Sequence, residues 1–321
     1  MLSLSQAILF DRDEAQVLED LDRDRPRRLG RSKLLWVDVD NRTARHAARV
    51  AEAFGLDERT RDHLEASDGP AVFEDHGRYI HVTTYAPDEE SCELTAVECV
   101  VGDHWVVTAH DQPIPVLDEF KKRVSGSGDT GVLDGPAFLA APLEWVLSAY
   151  SAAFEHMEHR LEEFDVHAMR GDGGEEDIEH LVMMRRDVGA LRRALASHRS
   201  ALVALTHPEL EALGDKASGE RFESLLRRFE STVQEARDAR EAIVGSFDVL
   251  IARTGHRTND IMKVLTLTSV ILLPGMVIAG LMGMNFKVGL FTAAWGFYAV
   301  VAATVAIALL VIGVAKRREW I

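Results

Sequence analysis

The sequence predicts an α/β domain, then a helical hairpin and a long helical stalk that runs into the first of two C-terminal transmembrane helices. Three observations carry this. Strand and helix signals alternate over the first part of the chain and the strand signals stop near residue 135. No proline interrupts the helical periodicity between Pro208 and Pro274. No charged residue occurs between Lys263 and Lys287, or between Lys287 and Lys316, and each interval exceeds the roughly 20 apolar residues that a bilayer core requires.

Residues 1–135 form the α/β part. Leu34–Val39 reads as a strand, and Thr43–Phe54 as a helix stopped by Gly55. A second helix is expected over Glu58–Ala66. The runs Arg78–Ala86, Leu94–Val101 and His104–His110 are rich in β-formers. Gly102-Asp103 fits a two-residue hairpin turn between the last two. A helix over Ile114–Val124 follows, and the whole implies a layered domain with a mixed sheet. Ser125–Gly131, "SGSGDTG", reads as a flexible connector.

Residues 136–218 form the hairpin. Leu143, Val146, Leu147, Tyr150, Phe154, Met157, Leu161 and Phe164 recur at helical spacing between Leu139 and Arg170. Gly171–Gly174 turns the chain, a second helix covers Glu176–Leu205, and His207-Pro208 ends it. Residues 219–284 form the stalk and the first span. Apolar positions from Phe222 to Ile251 continue through Asn259-Asp260-Ile261-Met262-Lys263 without a break. Such a helix is about 95 Å long at 1.5 Å per residue, and needs neighbours along much of that length, from its own chain or from copies of itself.

The spans are placed at about 264–284 and 295–315, joined by the loop 285–294, which forces an antiparallel hairpin. Arg253, Arg257 and Lys263 precede the first span, and Lys316-Arg317-Arg318 opens the basic tail 316–321. The positive-inside rule therefore expects both termini in the cytoplasm and the short loop outside an inner (plasma) membrane. Trp295, Tyr298 and Trp320 fall at interfacial depths. The net charge of −16 argues against a nucleic-acid partner, whose phosphates it would repel, and suits either a soluble acidic domain or a cationic partner. Cys92 and Cys99 are too few for a disulfide framework. The start, "MLSLSQAILFDRDEAQ", has no basic n-region, so no signal peptide is expected.

Steps of three and four along the stalk place Asn259, Met262, Leu265, Ser269, Leu273, Met276, Gly280 and Gly283 on one stripe. Around a symmetry axis this stripe would line a narrow pore with apolar constrictions; small residues also permit close helix packing, and the spacing fits both. His156 and His159, three apart beside Glu155 and Glu163, could hold a metal ion or lie on a solvated helix face. No phosphate-binding loop, nucleophile elbow or H-E-x-x-H helix occurs, so no enzymatic activity is expected.

The segment "NDIMKVLTLTSVILLPGMVIAGLMGMNF" (Asn259–Phe286) resembles the signature region of the CorA family of divalent metal ion transporters. It shares the asparagine, the Met-Lys-x-Leu-Thr opening, the mid-span proline at Pro274 and the triplet Gly283-Met284-Asn285, all at matching offsets. The resemblance implies a homopentamer in membrane lipid, with the stalk and first span lining a central pore and the triplet at its outer mouth. It implies passage of a divalent cation, Mg²⁺ foremost and Co²⁺ or Ni²⁺ with it, with no cofactor. A ring of Asn285 carbonyls, assisted by Gly283 backbone carbonyls, would hold Mg²⁺ through its reluctantly shed waters. The resemblance further implies closure by Mg²⁺ bound between cytosolic subunits, with Glu220 and Glu223 as sensor candidates. One departure stands out. Magnesium-importing members carry an acidic loop after the triplet, whereas 286–294 contains Lys287 and no acid. A ZntB-like Zn²⁺ transporter of the same fold, or a non-conducting membrane regulator, is the alternative.

Overall fold

A computed structural model describes residues 6–11, 14–18, 29–30, 32–40, 42–65, 71–127, 135–170, 175–206, 216–284 and 294–317. The chain divides into two compact units, Met1–Ser246 and Phe247–Ile321.

The first unit is built on a seven-stranded mixed sheet. Its strands are β1 (Gln6–Asp11), β2 (Glu14–Leu18), β3 (Lys33–Asp40), β4 (Phe73–Asp75), β5 (Ile80–Pro87), β6 (Leu94–Gly102) and β7 (Trp105–His110). Their order is β2-β1-β3-β7-β6-β5-β4. Among the described residues only β3 and β7 pair in parallel; the other pairs are antiparallel. The helices of the α/β part are α1 (Ala44–Phe54), α2 (Glu58–Glu65) and α3 (Pro115–Ser127). Four helices follow in α4 (Gly135–Arg170), α5 (Glu175–Ser197), α6 (Arg199–Leu205) and α7 (Lys216–Met282), the last continuing into the second unit.

Both faces of the sheet are covered, which is why Leu34–Val37 of β3 reads as an apolar run. On one face Leu35, Val37, Val39, Val100 and Val107 pack with Ala47, Val50 and Ala53 of α1 and Leu64 of α2. On the other, the Trp36 ring lies 5.3 Å from Phe120 of α3 and 5.5 Å from Phe138 of α4, with Phe10 5.7 Å from Phe138. Local rules set the ends of α1. The Thr43 hydroxyl accepts from the His46 N–H at 3.2 Å, and Gly55 adopts φ 68° at the C-terminal stop.

Several elements differ from the sequence expectation. Strands β1, β2 and β4 escape it because they are short and weakly alternating. The β6–β7 turn is Asp103-His104, one residue later than expected, and Gly102 closes the strand as the partner of Trp105. Glycine is required there: a Cβ on Gly102 would lie 2.4 Å from the Trp105 ring. Helix α3 runs through Ser127, so the start of the expected connector is helical; 128–131, 171–174 and His207-Pro208 lie outside the described residues.

The expected helix Glu176–Leu205 is two helices broken at His198, and the break has a visible cause. Beyond the end of β4, the Tyr85 N–H on that edge of β5 meets no strand among the described residues. It donates instead to His198 Nε2 at 2.8 Å, while His198 Nδ1 lies 3.3 Å from the Leu195 carbonyl. Both contacts suit a neutral imidazole. Burial pushes the His198 pKa down to about 4, against the opposing contributions of the Leu195 and Ala194 carbonyls.

An unfolded chain takes up that proton near pH 6.5, so the stability owed to neutral His198 is present above about pH 6.5 and lost as the pH falls toward 4. The loss is about 3 kcal/mol over that window. Thermal denaturation at several pH values reads it. His198→Gln, which keeps an acceptor for Tyr85, is expected to flatten the wild-type decline between pH 6.5 and pH 4.

Candidate functional site

Among the described residues three helices are long and apolar enough to cross a membrane, and burial separates them. The apolar window within Gly135–Met169 of α4 has mean hydropathy 1.3 and is 67% buried within the protein, so α4 is a core helix. The corresponding windows of α7 and of α8 (Ala294–Arg317) reach 2.2 and 2.6 and are 0% buried. These two fit membrane spans. Three of their side-chain hydroxyls bond within the helix, as lipid demands. Ser269 donates to the Leu265 carbonyl, Thr268 to Val264 and Thr304 to Val300, each at 2.9 Å.

The two spans pack antiparallel. A Cβ on Gly275 would lie 3.3 Å from Thr304 Cγ2, so glycine lets the helices approach mid-span. Nearer the start of the span, Thr266, Leu267 and Val270 face Leu310, Val311, Val314 and Ala315 across an apolar cavity of about 250 Å³. Leu267, Ile271, Pro274, Gly275 and Ile278 are the half-buried positions of α7 in this region, and they share one helix face. At 3.6 residues per turn, Met262, Leu265, Ser269, Leu273, Met276 and Gly280 point the other way. All six are exposed, with Met276 at 67% and Leu265 at 59%.

Asn259 also lies exposed on α7, one turn before the span. Beside it Lys263 Nζ donates to Asp260 Oδ1 at 2.9 Å, and that hydrogen bond holds Asp260 below the usual carboxylate range. Gly283 and Met284 leave the helix in a turn, the Gly283 N–H donating to the Ala279 carbonyl at 2.9 Å and the Met284 N–H to Leu281 at 3.3 Å. Asn285 and Lys287 lie outside the described residues. Glu220 is exposed on α7, and Glu223 faces Arg227 at 3.8 Å. On α4, His156 is half-buried and His159 is exposed, with His159 Nδ1 3.9 Å from Glu162.

The structure gathers a different group that the sequence reading missed. Among the described residues, ligand atoms of Asp38, Asp40 and His110 lie within 4.8 Å of one another. The "VDVD" of β3 was the available signal, because a period of two puts both aspartates on one face. Strand register adds His110 opposite Asp40 and Thr108 opposite Asp38. A metal-like cluster results, but a cation already occupies it. Lys121 Nζ of α3 lies 2.5 Å from Asp38 Oδ2, 3.5 Å from Asp40 Oδ1 and 3.0 Å from Asp118 Oδ1. His110 Nε2 lies 3.3 Å from Asp38 and 3.0 Å from Asp40, and Nδ1 2.7 Å from the Gln112 carbonyl. Thr108 donates to Asp38 Oδ1 and accepts from Trp36 Nε1 at 3.0 Å.

The titrations follow the geometry. Burial opposes charge on His110, but the Asp38 hydrogen bond and charge outweigh it and raise its pKa. Burial likewise opposes ionised Asp38, and His110 and Lys121 together overcome it and lower its pKa. Burial and the Asp38 charge raise Asp40. The Lys121 pKa is raised, the Asp38 carboxylate outweighing the effect of burial. Removing the ammonium leaves buried carboxylate charge with less compensation. Lys121→Met is therefore expected to destabilise the protein by about 3–5 kcal/mol, read as a lowered midpoint in chemical denaturation.

Comparison with known proteins agrees with this architecture. The family model described as CorA-like Mg²⁺ transporter protein matches residues 31–317. The cobalt/magnesium transport protein CorA of Methanocaldococcus jannaschii is 24% identical over 293 residues, covering 90% of this chain and 92% of that one. The Thermotoga maritima protein of the same name is 23% identical, covering 85% and 79%. The complete structure of the M. jannaschii CorA magnesium transporter superposes with a TM-score of 0.84 at 22% identity, covering 100% of both chains. The full-length CmaX protein gives 0.75 at 17% identity, covering 98% and 97%. The cytoplasmic domain of ZntB from Vibrio parahaemolyticus gives 0.59 at 10%, covering 78% and 98%. With its family model matched from the third strand to the end of the second span, the chain belongs to the CorA family.

Proposed function

We propose that this chain is a divalent-cation transporter of the membrane, acting as a homopentamer with α7 around a central pore and Mg²⁺ as its main substrate. The observation that carries the reading is the exposed face of α7 opposite α8. Met262, Leu265, Ser269, Leu273, Met276 and Gly280 find no cover among the described residues of their own chain. They lead directly to Gly283, Met284 and the neighbouring Asn285. Family membership supports the same reading, since the relatives named above are magnesium and cobalt transport proteins.

In this reading the cation moves down its potential. One elementary charge across 100 mV gains about 2.3 kcal/mol, and a divalent ion about twice that. Both spans lack charged side chains, so the ion meets neutral oxygens: the Asn285 amide and backbone carbonyls near Gly283. These suit an ion that keeps several waters. Leu265, Leu273 and Met276 supply apolar constrictions. The basic residues before the first span and after the second support a cytoplasmic position for both termini, by the positive-inside rule. Metal bound between cytosolic units then biases the gate, with Glu220 and Glu223 as the acidic candidates on the stalk. The non-acidic loop bearing Lys287 is the feature that favours a second cargo, Zn²⁺.

Uptake into liposomes holding the purified protein, followed with Mg²⁺ and Zn²⁺ indicators, tests the proposal. Wild type is expected to admit Mg²⁺, and Asn285→Ala to slow the initial rate by about tenfold or more, the equivalent of about 1.4 kcal/mol. Zn²⁺ uptake without Mg²⁺ would reassign the cargo. An intact oligomer that admits neither ion would overturn transport in favour of a regulator.

A further inference from the structure

The apolar cavity between the two spans is an open groove. Thr266, Val270, Leu310 and Val314 on its walls are exposed, Leu310 at 67%, and Ala315 at its floor is buried, at 4%. Its volume of about 250 Å³ exceeds the roughly 150 Å³ of an apolar cavity that stays dry and takes a benzene-sized guest. Water finds almost no polar partner on such walls. A hydrocarbon chain suits both the volume and the lining.

The polar groups along the groove stand in a definite order. Lys263 lies three positions before Thr266 and seven before Val270, so it continues the groove face of α7 by one turn. Arg317 lies three positions after Val314 and seven after Leu310, and continues the groove face of α8 in the same way. Because the helices run antiparallel, both cations stand at one end. Lys263 is half-buried and gives one N–H to Asp260 at 2.9 Å; an ammonium has two more to give. Arg317 is exposed and has no acidic partner among the described residues, and the sequence carries no acid between Asp260 and Glu319. Thr266 stands between these cations and the apolar stretch. Thr268, Ser269 and Thr304 return their hydroxyls to the preceding turn, whereas the Thr266 hydroxyl has no acceptor among the described residues. A donor left open at the edge of hydrocarbon costs free energy until an acceptor reaches it.

Two cations, then an open hydroxyl, then an apolar trough match the parts of a phospholipid in order: phosphate, ester carbonyl, acyl chain. We propose that this groove binds an anionic phospholipid. Its phosphate sits at Lys263 and Arg317, a glycerol-ester carbonyl accepts from Thr266, and an acyl chain lies along Val270, Leu310 and Val314. Basic pockets between transmembrane helices recognise anionic headgroups on the same principle. A zwitterionic headgroup brings its own cation to the basic pair, which favours the anionic class. Charge also disfavours a second copy of this chain in the groove. Parallel copies carry Lys263 and Arg317 at the same depth, so like charges would meet. The proposal rests on the membrane placement of α7 and α8 and on no transported ion.

Two measurements on the purified full-length protein test it. In the first, dioleoyl-phosphatidylglycerol or dioleoyl-phosphatidylcholine is added in steps to protein in detergent, and native mass spectrometry reads the lipid retained. Wild type is expected to retain phosphatidylglycerol at lower added concentration than phosphatidylcholine. Lys263→Gln and Arg317→Gln should each raise the half-saturating phosphatidylglycerol concentration about fivefold. Lys316→Gln, two positions from Val314 and so off the groove face, should leave it unchanged. Equal retention of the two lipids, or an equal effect of Lys316→Gln, would overturn the proposal. The second needs no variant. Wild type in phosphatidylcholine vesicles is irradiated with phosphatidylglycerol that carries a photoactivatable diazirine in its acyl chain. Crosslinks are expected at Val270, Leu310 or Val314, and unlabelled phosphatidylglycerol in excess should suppress them. Labelling confined to other positions would exclude the site and leave the groove to a neighbouring copy.

Discussion

The whole molecule turns on one constraint: helix α7 changes its environment without changing its direction in sequence. Up to Leu250 one stripe of its apolar positions finds cover within the chain: Phe222, Leu225, Phe229, Ala236, Ala239, Ile243 and Leu250 are all buried. From Ile251 onward most apolar side chains are exposed, Val264 at 66% and Met276 at 67% among them, while Leu267, Ile271 and Ile278 are half-buried on the face toward α8. At about 25 cal/mol per Å², an uncovered helix of this composition is not tolerated by water. Lipid and other copies of the helix are the two available covers, and they suit different faces. The apolar exterior of α8 suits lipid. The α7 face opposite α8, where glycine and serine alternate with methionine and leucine, suits another copy of itself.

That constraint explains why the spans carry no charge and why their polar atoms look inward. Ser269, Thr268 and Thr304 each return a hydroxyl proton to a carbonyl of the preceding turn, so none leaves an unpaired donor in the hydrocarbon. Gly275 removes a side chain where Thr304 crosses, which lets two helices pair without a polar contact. Pro274 is accommodated inside a helix that continues to Met282. The amide expected at the pore mouth, Asn285, follows in sequence the helix end at Met282 and the turn at Gly283 and Met284.

Much of this was legible in the sequence, for identifiable reasons. Absence of charge over two long intervals is a one-dimensional signal, and it located α7 and α8 to within a residue or two of Met282 and Ala294. The central strands were visible because burial on both faces makes them apolar runs. Three-dimensional pairing was less so. Strand β4 has three residues and little apolar content, and β1 and β2 lie near the amino terminus in a segment rich in charge. The break at His198 accompanies a hydrogen bond from the Tyr85 N–H, a residue 113 positions away. Neither buried cluster has a sequence motif: Lys121 reaches Asp38 through the packing of α3, and Glu74 meets His81 through strand register.

The two clusters show why a convergence of acidic and imidazole groups is not by itself a metal site. Around Asp38 the accounting closes. Three carboxylates face the Lys121 ammonium and a His110 whose two nitrogens both approach oxygens, and the Thr108 hydroxyl supplies one further donor. A divalent ion would have to displace a lysine whose pKa is raised by that same environment. Around Glu74 the cations are arginines: Arg59 pairs with one Glu74 oxygen and Arg42 stands 3.9 Å from Glu98, while His76 lies 2.7 Å from Asp57 and His81 2.6 Å from Glu98. Both clusters set buried carboxylates against cations and imidazoles supplied by the chain itself, so each reads as a structural ion network within the same sheet.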